Sequence, residues 1–95
     1  MSKFVCILRD EKKENLTEGL VIKHIEHLMD LKRKGLLTLC GLLMNEGGML
    51  MLDVKSYEDA ENIILQDPLI KNNCYGGYVI YEFFEGNEEN NYLLN

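Results

Sequence analysis

The sequence predicts an α+β fold of order β-α-β-β-α-β, with one antiparallel sheet and two helices on one of its faces. Three observations carry this expectation. Apolar runs of strand length recur at residues 3–9, 36–44, 49–54 and 75–84. Between the first and second runs, apolar residues recur at helical spacing: Leu16, Leu20, Val21, Ile25, Leu28 and Leu31. Between the third and fourth, Ala60, Ile63 and Ile64 repeat that spacing behind Ser56, a residue suited to cap a helix.

In the first strand Phe4, Cys6 and Leu8 point one way, and Val5 and Ile7 the other. Both sets are apolar, as expected of a central strand covered on both faces. The polar stretch Asp10 to Asn15 leads into a helix expected at 16–34, which Gly35 ends in a left-handed cap. Leu36 to Met44 reads as the second strand, although periodicity alone leaves a helix open for a leucine-rich run. Asn45-Glu46-Gly47-Gly48 reads as a hairpin turn, its glycines expected to supply positive φ, and Met49 to Val54 returns as the third strand. The second helix runs from the Ser56 cap to about Gln66, with Glu58 and Asp59 in its first turn complementing the dipole. Pro68 marks the stop and biases Asp67 away from helical backbone. Tyr75 to Phe84 is the last strand, where Gly76 and Gly77 point to a bulge or a close backbone approach. This order is the ferredoxin-like plan. Residues 1–86 form a single domain, and residues 87–95 an acidic tail expected to be mobile.

A chain of 95 residues with 46% hydrophobic and 27% charged residues has the composition of an ordinary globular domain. Its net charge of −6 lacks the basic footprint that nucleic-acid binding draws on. The basic cluster Lys32-Arg33-Lys34 falls at the end of the first helix, where it complements the dipole. No apolar run approaches the roughly 20 residues that span a bilayer, and no signal segment is expected, so the default address is the cytoplasm. Three dispersed cysteines argue against a disulfide framework and fit a reducing compartment. Cys6 and Cys40 are expected to be buried within strands, and Cys74 to be more exposed.

A sheet covered on one face should alternate apolar and polar residues, yet Tyr78-Val79-Ile80-Tyr81 and Met49-Leu50-Met51-Leu52 do not. A large exposed apolar face marks an interface. The expectation is a homodimer whose two sheets pack face to face, a dimeric α+β barrel.

One polar residue interrupts the helical stripe. His24 stands near its middle, on the row between Leu20 and Leu28. A buried polar group left unpaired costs about 1–3 kcal/mol, so this imidazole needs either a partner or a wet cavity. The stripe of the second helix ends on Asp67, at i+3 from Ile64. Both helices cover the same sheet face, so His24 and Asp67 can meet between them, which would fix the imidazole tautomer and raise its basicity. Spacing alone leaves a second arrangement open, with Asp67 shaping the turn before Pro68 and His24 bonded to a backbone carbonyl. His27 completes His-x-x-His but falls at the stripe's edge and finds no third ligand in the pattern, so no metal site is expected. The Gly47-Gly48 and Gly76-Gly77 pairs open no helix and make no phosphate loop. Of the two serines, Ser56 is a cap, which leaves a serine triad without its nucleophile. Tyr75, Tyr78 and Tyr81 suit interface packing or hydrogen bonding to a ligand.

The series His24-Ile25-x-x-Leu28-x-x-Leu31-x-x-x-Gly35, Gly41, the hairpin glycines, Ser56-x-Glu58-x-Ala60 and Asp67-Pro68 resembles the YciI-like (YCII-related) family, over about residues 4–84. The resemblance implies a ferredoxin-like dimer with a His and an Asp as catalytic pair in a cleft between helices and sheet. By motif position these are His24 and Asp67. Family members often carry an Arg three residues before the His, where this chain has Val21, and the common Ala-Gly-Pro appears here as Cys40-Gly41-Leu42. Arg9 and Lys23 are the candidate substitutes for that cation, and Tyr78 a candidate hydrogen-bonding group, although Lys23 points about 100° off the stripe. Related enzymes of this fold act on ring compounds, including elimination of HCl from chlorinated hydroquinones. The expected function is a cofactor-independent lyase or isomerase acting on a small molecule, with His24 as base and Asp67 as its orienting partner. The alternative is a dimeric small-ligand-binding or regulatory module without turnover.

Overall fold

The computed structural model describes residues 1–94. Its elements are β1 (Ser2–Glu11), α1 (Glu18–Arg33), β2 (Leu37–Leu42), β3 (Gly48–Val54), α2 (Tyr57–Leu65), α3 (Pro68–Lys71) and β4 (Tyr75–Phe83). The strands form one sheet in the order β2-β3-β1-β4, and every neighbouring pair is antiparallel. This is the expected α+β ferredoxin-like architecture, with β1 central because both of its faces are apolar.

Alternation divides the sheet. Phe4, Cys6 and Leu8 of β1, Leu50, Leu52 and Val54 of β3, and Ile80 of β4 are buried beneath the helices. Leu31 of α1 with Ala60 and Ile64 of α2 close that core from above. Across the ladder, Val5 faces Met51 and Tyr81, and Ile7 faces Met49 and Val79. These residues line the opposite face, where Tyr81 and Phe83 are exposed.

Local signals set most boundaries. The Thr17 hydroxyl accepts from Leu20 N at 3.2 Å and starts α1 two residues later than the spacing suggests, leaving Leu16 outside the helix. Gly35 ends α1 at φ 76. There Gly35 N donates to Lys32 O and Leu36 N to Leu31 O, the paired bonds of a Schellman cap. Ser56 caps α2 by accepting from Asp59 N. The leucine-rich second segment is a strand, and it lies at the sheet edge.

Four details differ from expectation. In the β2–β3 hairpin the positive φ belongs to Asn45, at 61°, and not to a glycine. Gly47 is required there for space, since a Cβ would collide with the Leu8 carbonyl oxygen. Gly76 makes no bulge, because the β1–β4 register runs unshifted from Lys3–Phe83 to Glu11–Tyr75. Its missing side chain instead admits the Asp10 carboxylate. Pro68 both follows α2 and begins the short helix α3, taking the first-turn position where its lacking N–H costs nothing. The cysteines exchange roles: Cys40 is exposed on the edge strand and Cys74 is buried.

Beyond β4, the Asn87 and Asn90 side chains cap each other's backbone N–H at the start of a turn that kinks where Asn91 and Tyr92 are left-handed, at φ 52 and 53. No described helix is long and apolar enough to cross a membrane.

Burial pushes the Cys6 thiol up to about 12. Burial also raises the Cys74 thiol, and the nearby Asp67 charge adds to the rise. Reaction is carried by the thiolate, so these two are inert in the native protein. At pH 8 a disulfide reagent such as DTNB is expected to titrate Cys40 alone, and all three thiols after denaturation. Cys40→Ser should abolish the native reaction; a persistent native thiol would contradict this burial.

Candidate active site

Asp67 links the end of α2 to the start of α3. Proline at 68 keeps its backbone extended, at φ −64 and ψ 127, so the side chain turns back over the first turn of α3. There Oδ1 accepts from Leu69 N at 2.9 Å. The residue has no solvent-exposed surface. A carboxylate buried to that degree must be paired and hydrogen-bonded to remain ionised.

The second partner arrives from α1. His24 Nδ1 lies 2.9 Å from both Asp67 carboxylate oxygens. α1 packs on α3, which brings two residues separated by 43 positions into contact. The ionised carboxylate only accepts, so the hydrogen-bond network assigns the imidazole proton to Nδ1. That tautomer leaves a lone pair on Nε2. A base held by a buried carboxylate on its far nitrogen suits proton transfer, because the carboxylate orients the ring and stabilises the imidazolium once formed. Of the two arrangements that spacing left open, the structure contains the pair, and Asp67 also shapes the turn.

The His24 side chain is 18% exposed and borders a cavity of about 230 Å³ between α1 and the β1–β3–β2 part of the sheet. Its walls are mainly Leu8, Ile25, Leu28, Leu42 and Leu50. Cys40 and Tyr75 also reach it. The cavity lies where α1 diverges from the edge strand, so the one histidine of the apolar stripe borders open space.

The other candidates fall elsewhere. Arg9 continues the parity of Val5 and Ile7, on the face away from the helices, and its Nε pairs with Glu46 Oε1 at 2.7 Å. Lys23 is exposed on α1. Tyr78 lies on the helix side, where its hydroxyl donates to Glu61 Oε2 at 3.0 Å. Burial and that carboxylate raise its pKa. Arg9, Lys23, Tyr78 and Val21 do not line the cavity beside His24. His27 lies in a separate cleft with Asp30, Lys34 and Asn62. Its Nε2 is buried without a hydrogen-bond partner. Among the described residues no cluster of His, Cys, Asp and Glu could hold a metal ion.

Sequence reasoning weighed Tyr75 for interface packing or ligand hydrogen bonding without placing it beside His24, and it passed over Cys40. Parity would group Tyr75 with Tyr81 on the open face. The pleat breaks at this end of the sheet, where Asp10 and Asn73 are left-handed at φ 59 and 58, and Tyr75 instead packs against the helix-side core.

Fold and site together define a small ferredoxin-like domain with a buried Asp–His pair set beside an apolar cavity. Residues 2–84 match the model of the YCII-related domain, and the chain belongs to that family. The chain is similar in fold to 5-chloro-2-hydroxyhydroquinone dehydrochlorinase from Burkholderia phenoliruptrix AC1100, solved in complex with 2,5-dihydroxybenzoquinone. That similarity has a TM-score of 0.63 at 15% identity, over 88% of this chain and 95% of the other. No curated protein sequence matches the chain.

Removing a donor from a buried ionised carboxylate leaves that group short of a hydrogen bond and costs about 3 kcal/mol. His24→Ala is therefore expected to lower stability by about that amount. His24→Asn places an amide donor near the position of Nδ1, and is expected to lose only about 1–2 kcal/mol. Urea unfolding at pH 7 separates the two; equal stability of wild type and His24→Ala would show that the carboxylate does not depend on the ring.

Proposed function

We propose that the protein is a small-molecule enzyme of lyase or isomerase type in which His24 Nε2 removes a proton from substrate held in the cavity. Asp67 orients the ring through Nδ1 and stabilises the imidazolium. The observation that carries this reading is the division of labour between the ring nitrogens, with Nδ1 bound to a buried carboxylate and the ring bordering a cavity. An imidazole is suited to the task because its ordinary pKa lies near neutral pH. In an isomerisation the imidazolium returns the proton to a different atom. In an elimination the electron pair of the broken C–H or O–H bond forms the new π system, and the leaving group departs with its own pair. No cofactor enters either route. The fold neighbour is a dehydrochlorinase crystallised with a dihydroxybenzoquinone, which supports a hydroxylated ring compound as substrate.

The reading includes a homodimer through the open sheet face. Val5, Ile7, Met49, Met51 and Val79 lie there half-buried, with Tyr81 exposed among them. A second copy of the same sheet would cover this surface symmetrically. It also places the protein in the cytoplasm, which keeps free thiols such as Cys6, Cys40 and Cys74 reduced.

One observation favours a second reading, a dimeric ligand-binding or regulatory module without turnover. The cavity walls are almost wholly apolar and, among the described residues, include no carboxylate to share the proton work.

A panel of hydroxylated and chlorinated ring compounds, followed by ultraviolet absorbance and chloride release, decides between them. His24→Asn should reduce turnover to background and Asp67→Asn should reduce it by about 100-fold or more, within the range for general-base catalysis. Ligand binding by the wild type with no turnover would favour the module. For the dimer, sedimentation of Val5→Lys should report a monomer where the wild type sediments as a dimer; an unchanged dimer would move the interface elsewhere.

A further inference from the structure

The His24–Asp67 reading leaves one polar group of the cavity without a task. Tyr75 is the first residue of β4, and its ring lies along the β2–β3 hairpin. A Cβ on Gly47 would stand 3.2 Å from Tyr75 Cε1, and one on Gly48 would stand 3.8 Å from the Tyr75 hydroxyl oxygen. These two positions carry no side chain, and so form a shelf on which the ring reaches the cavity. The phenol is held protonated: burial raises its pKa, the charges of Glu11 and Asp67 add to the rise, and a backbone hydrogen bond from Gly48 opposes them. It is therefore a neutral donor at any ordinary pH.

The rest of the lining adds no charge. Apart from His24 and Tyr75 its polar side chain is the Cys40 thiol, and no Lys, Arg, Asp or Glu lines it among the described residues. The charges that act on Tyr75 are negative, Glu11 and Asp67 ahead of Cys74. An anionic ligand would lose its hydration to an apolar wall beside negative charge, which is unfavourable on both counts. The size is compatible with a ring compound, and the mouth is open at Ile25 and Leu42. A cavity of about 150 Å³ lined by apolar side chains holds benzene, so one of about 230 Å³ suits a single ring with a few substituents.

From the shared placement of His24 and Tyr75 in this uncharged cavity, we infer that the ligand is a neutral single-ring compound bearing an oxygen substituent, to which Tyr75 donates a hydrogen bond. The inference rests on the reading of this cavity as the ligand site, and it assigns Tyr75 as the residue that selects the substrate. His24 takes the proton at one edge of the ring while Tyr75 holds an oxygen at another.

The pair 4-hydroxybenzamide and 4-hydroxybenzoate tests this directly, since the two share one shape and differ in charge. Titrations at pH 7, followed by the NMR signals of the His24 and Tyr75 rings, should show the amide binding and the carboxylate binding at least tenfold more weakly. Tyr75→Phe keeps the ring on its glycine shelf and should weaken the amide about tenfold, equivalent to about 1.4 kcal/mol, with an unchanged melting temperature. Equal or tighter binding of the carboxylate would overturn the inference, as would an unaltered affinity in Tyr75→Phe or failure of the amide to bind at millimolar concentration. These are binding measurements, so they stand or fall separately from turnover. An amide that binds through Tyr75 to a protein with no turnover would sink the enzyme reading and leave this one intact. Loss of turnover in His24→Asn alongside an unselective cavity would do the reverse.

Discussion

The buried carboxylate of Asp67 is the constraint around which the helical layer is arranged. An ionised group with no exposed surface survives only where hydrogen-bond donors replace its water, and here they come from two directions. Leu69 N supplies one from within the turn, and the His24 ring supplies the other from α1. The first is local and follows from Asp67-Pro68 as the opening of a short helix. The second is tertiary and fixes how far along α3 the long helix may slide. A single residue thus caps a helix, holds two helices in register and sets the tautomer of the imidazole. Structural and chemical demands coincide at this point, which explains a polar residue standing in the middle of an apolar stripe.

The sheet imposes the second constraint. β1 is apolar on both faces: Phe4, Cys6 and Leu8 meet the helices, and Val5 and Ile7 lie on the open face. The helix-side face is filled by Phe4, Cys6, Leu8, Leu50 and Leu52. At the β2 edge, α1 covers the sheet less completely, and Cys40 on that strand stays exposed. The cavity occupies this gap; Leu8 and Leu50 in its lining are buried core residues, whereas Ile25 and Leu42 are exposed.

Several features were legible from residue order because their causes are local. Gly35 and Ser56 act through bonds to backbone atoms a few residues away. Strand alternation needs only the pleat, and the helical stripe needs only the turn of the helix. His24 and Asp67 were found as candidates for the same reason: each broke, or ended, a periodic pattern. The errors share the opposite property. Gly47 reads as a turn former, yet its role is to avoid the Leu8 carbonyl across the ladder. Cys40 reads as a core residue of an apolar run, but the run is an edge strand, and edge position depends on strand order. Arg9 reads as a cation close to the site, whereas alternation beyond Ile7 carries it to the other face and into a pair with Glu46.

The sequence by itself determined the order of the four strands and two longer helices, the Gly35 and Ser56 caps, the two-faced character of β1 and the identity of the odd polar residues. These follow from forces acting within a few residues of chain. Only the tertiary structure decided that His24 and Asp67 meet at 2.9 Å, across 43 positions. It also decided that Tyr75 shares a cavity with His24 and that Arg9, Lys23 and Tyr78 do not line it. Those outcomes depend on the packing of α1 against α3 and on the broken pleat at Asp10 and Asn73. No repeat in the residue order encodes them, because they arise from how the finished layers fit together.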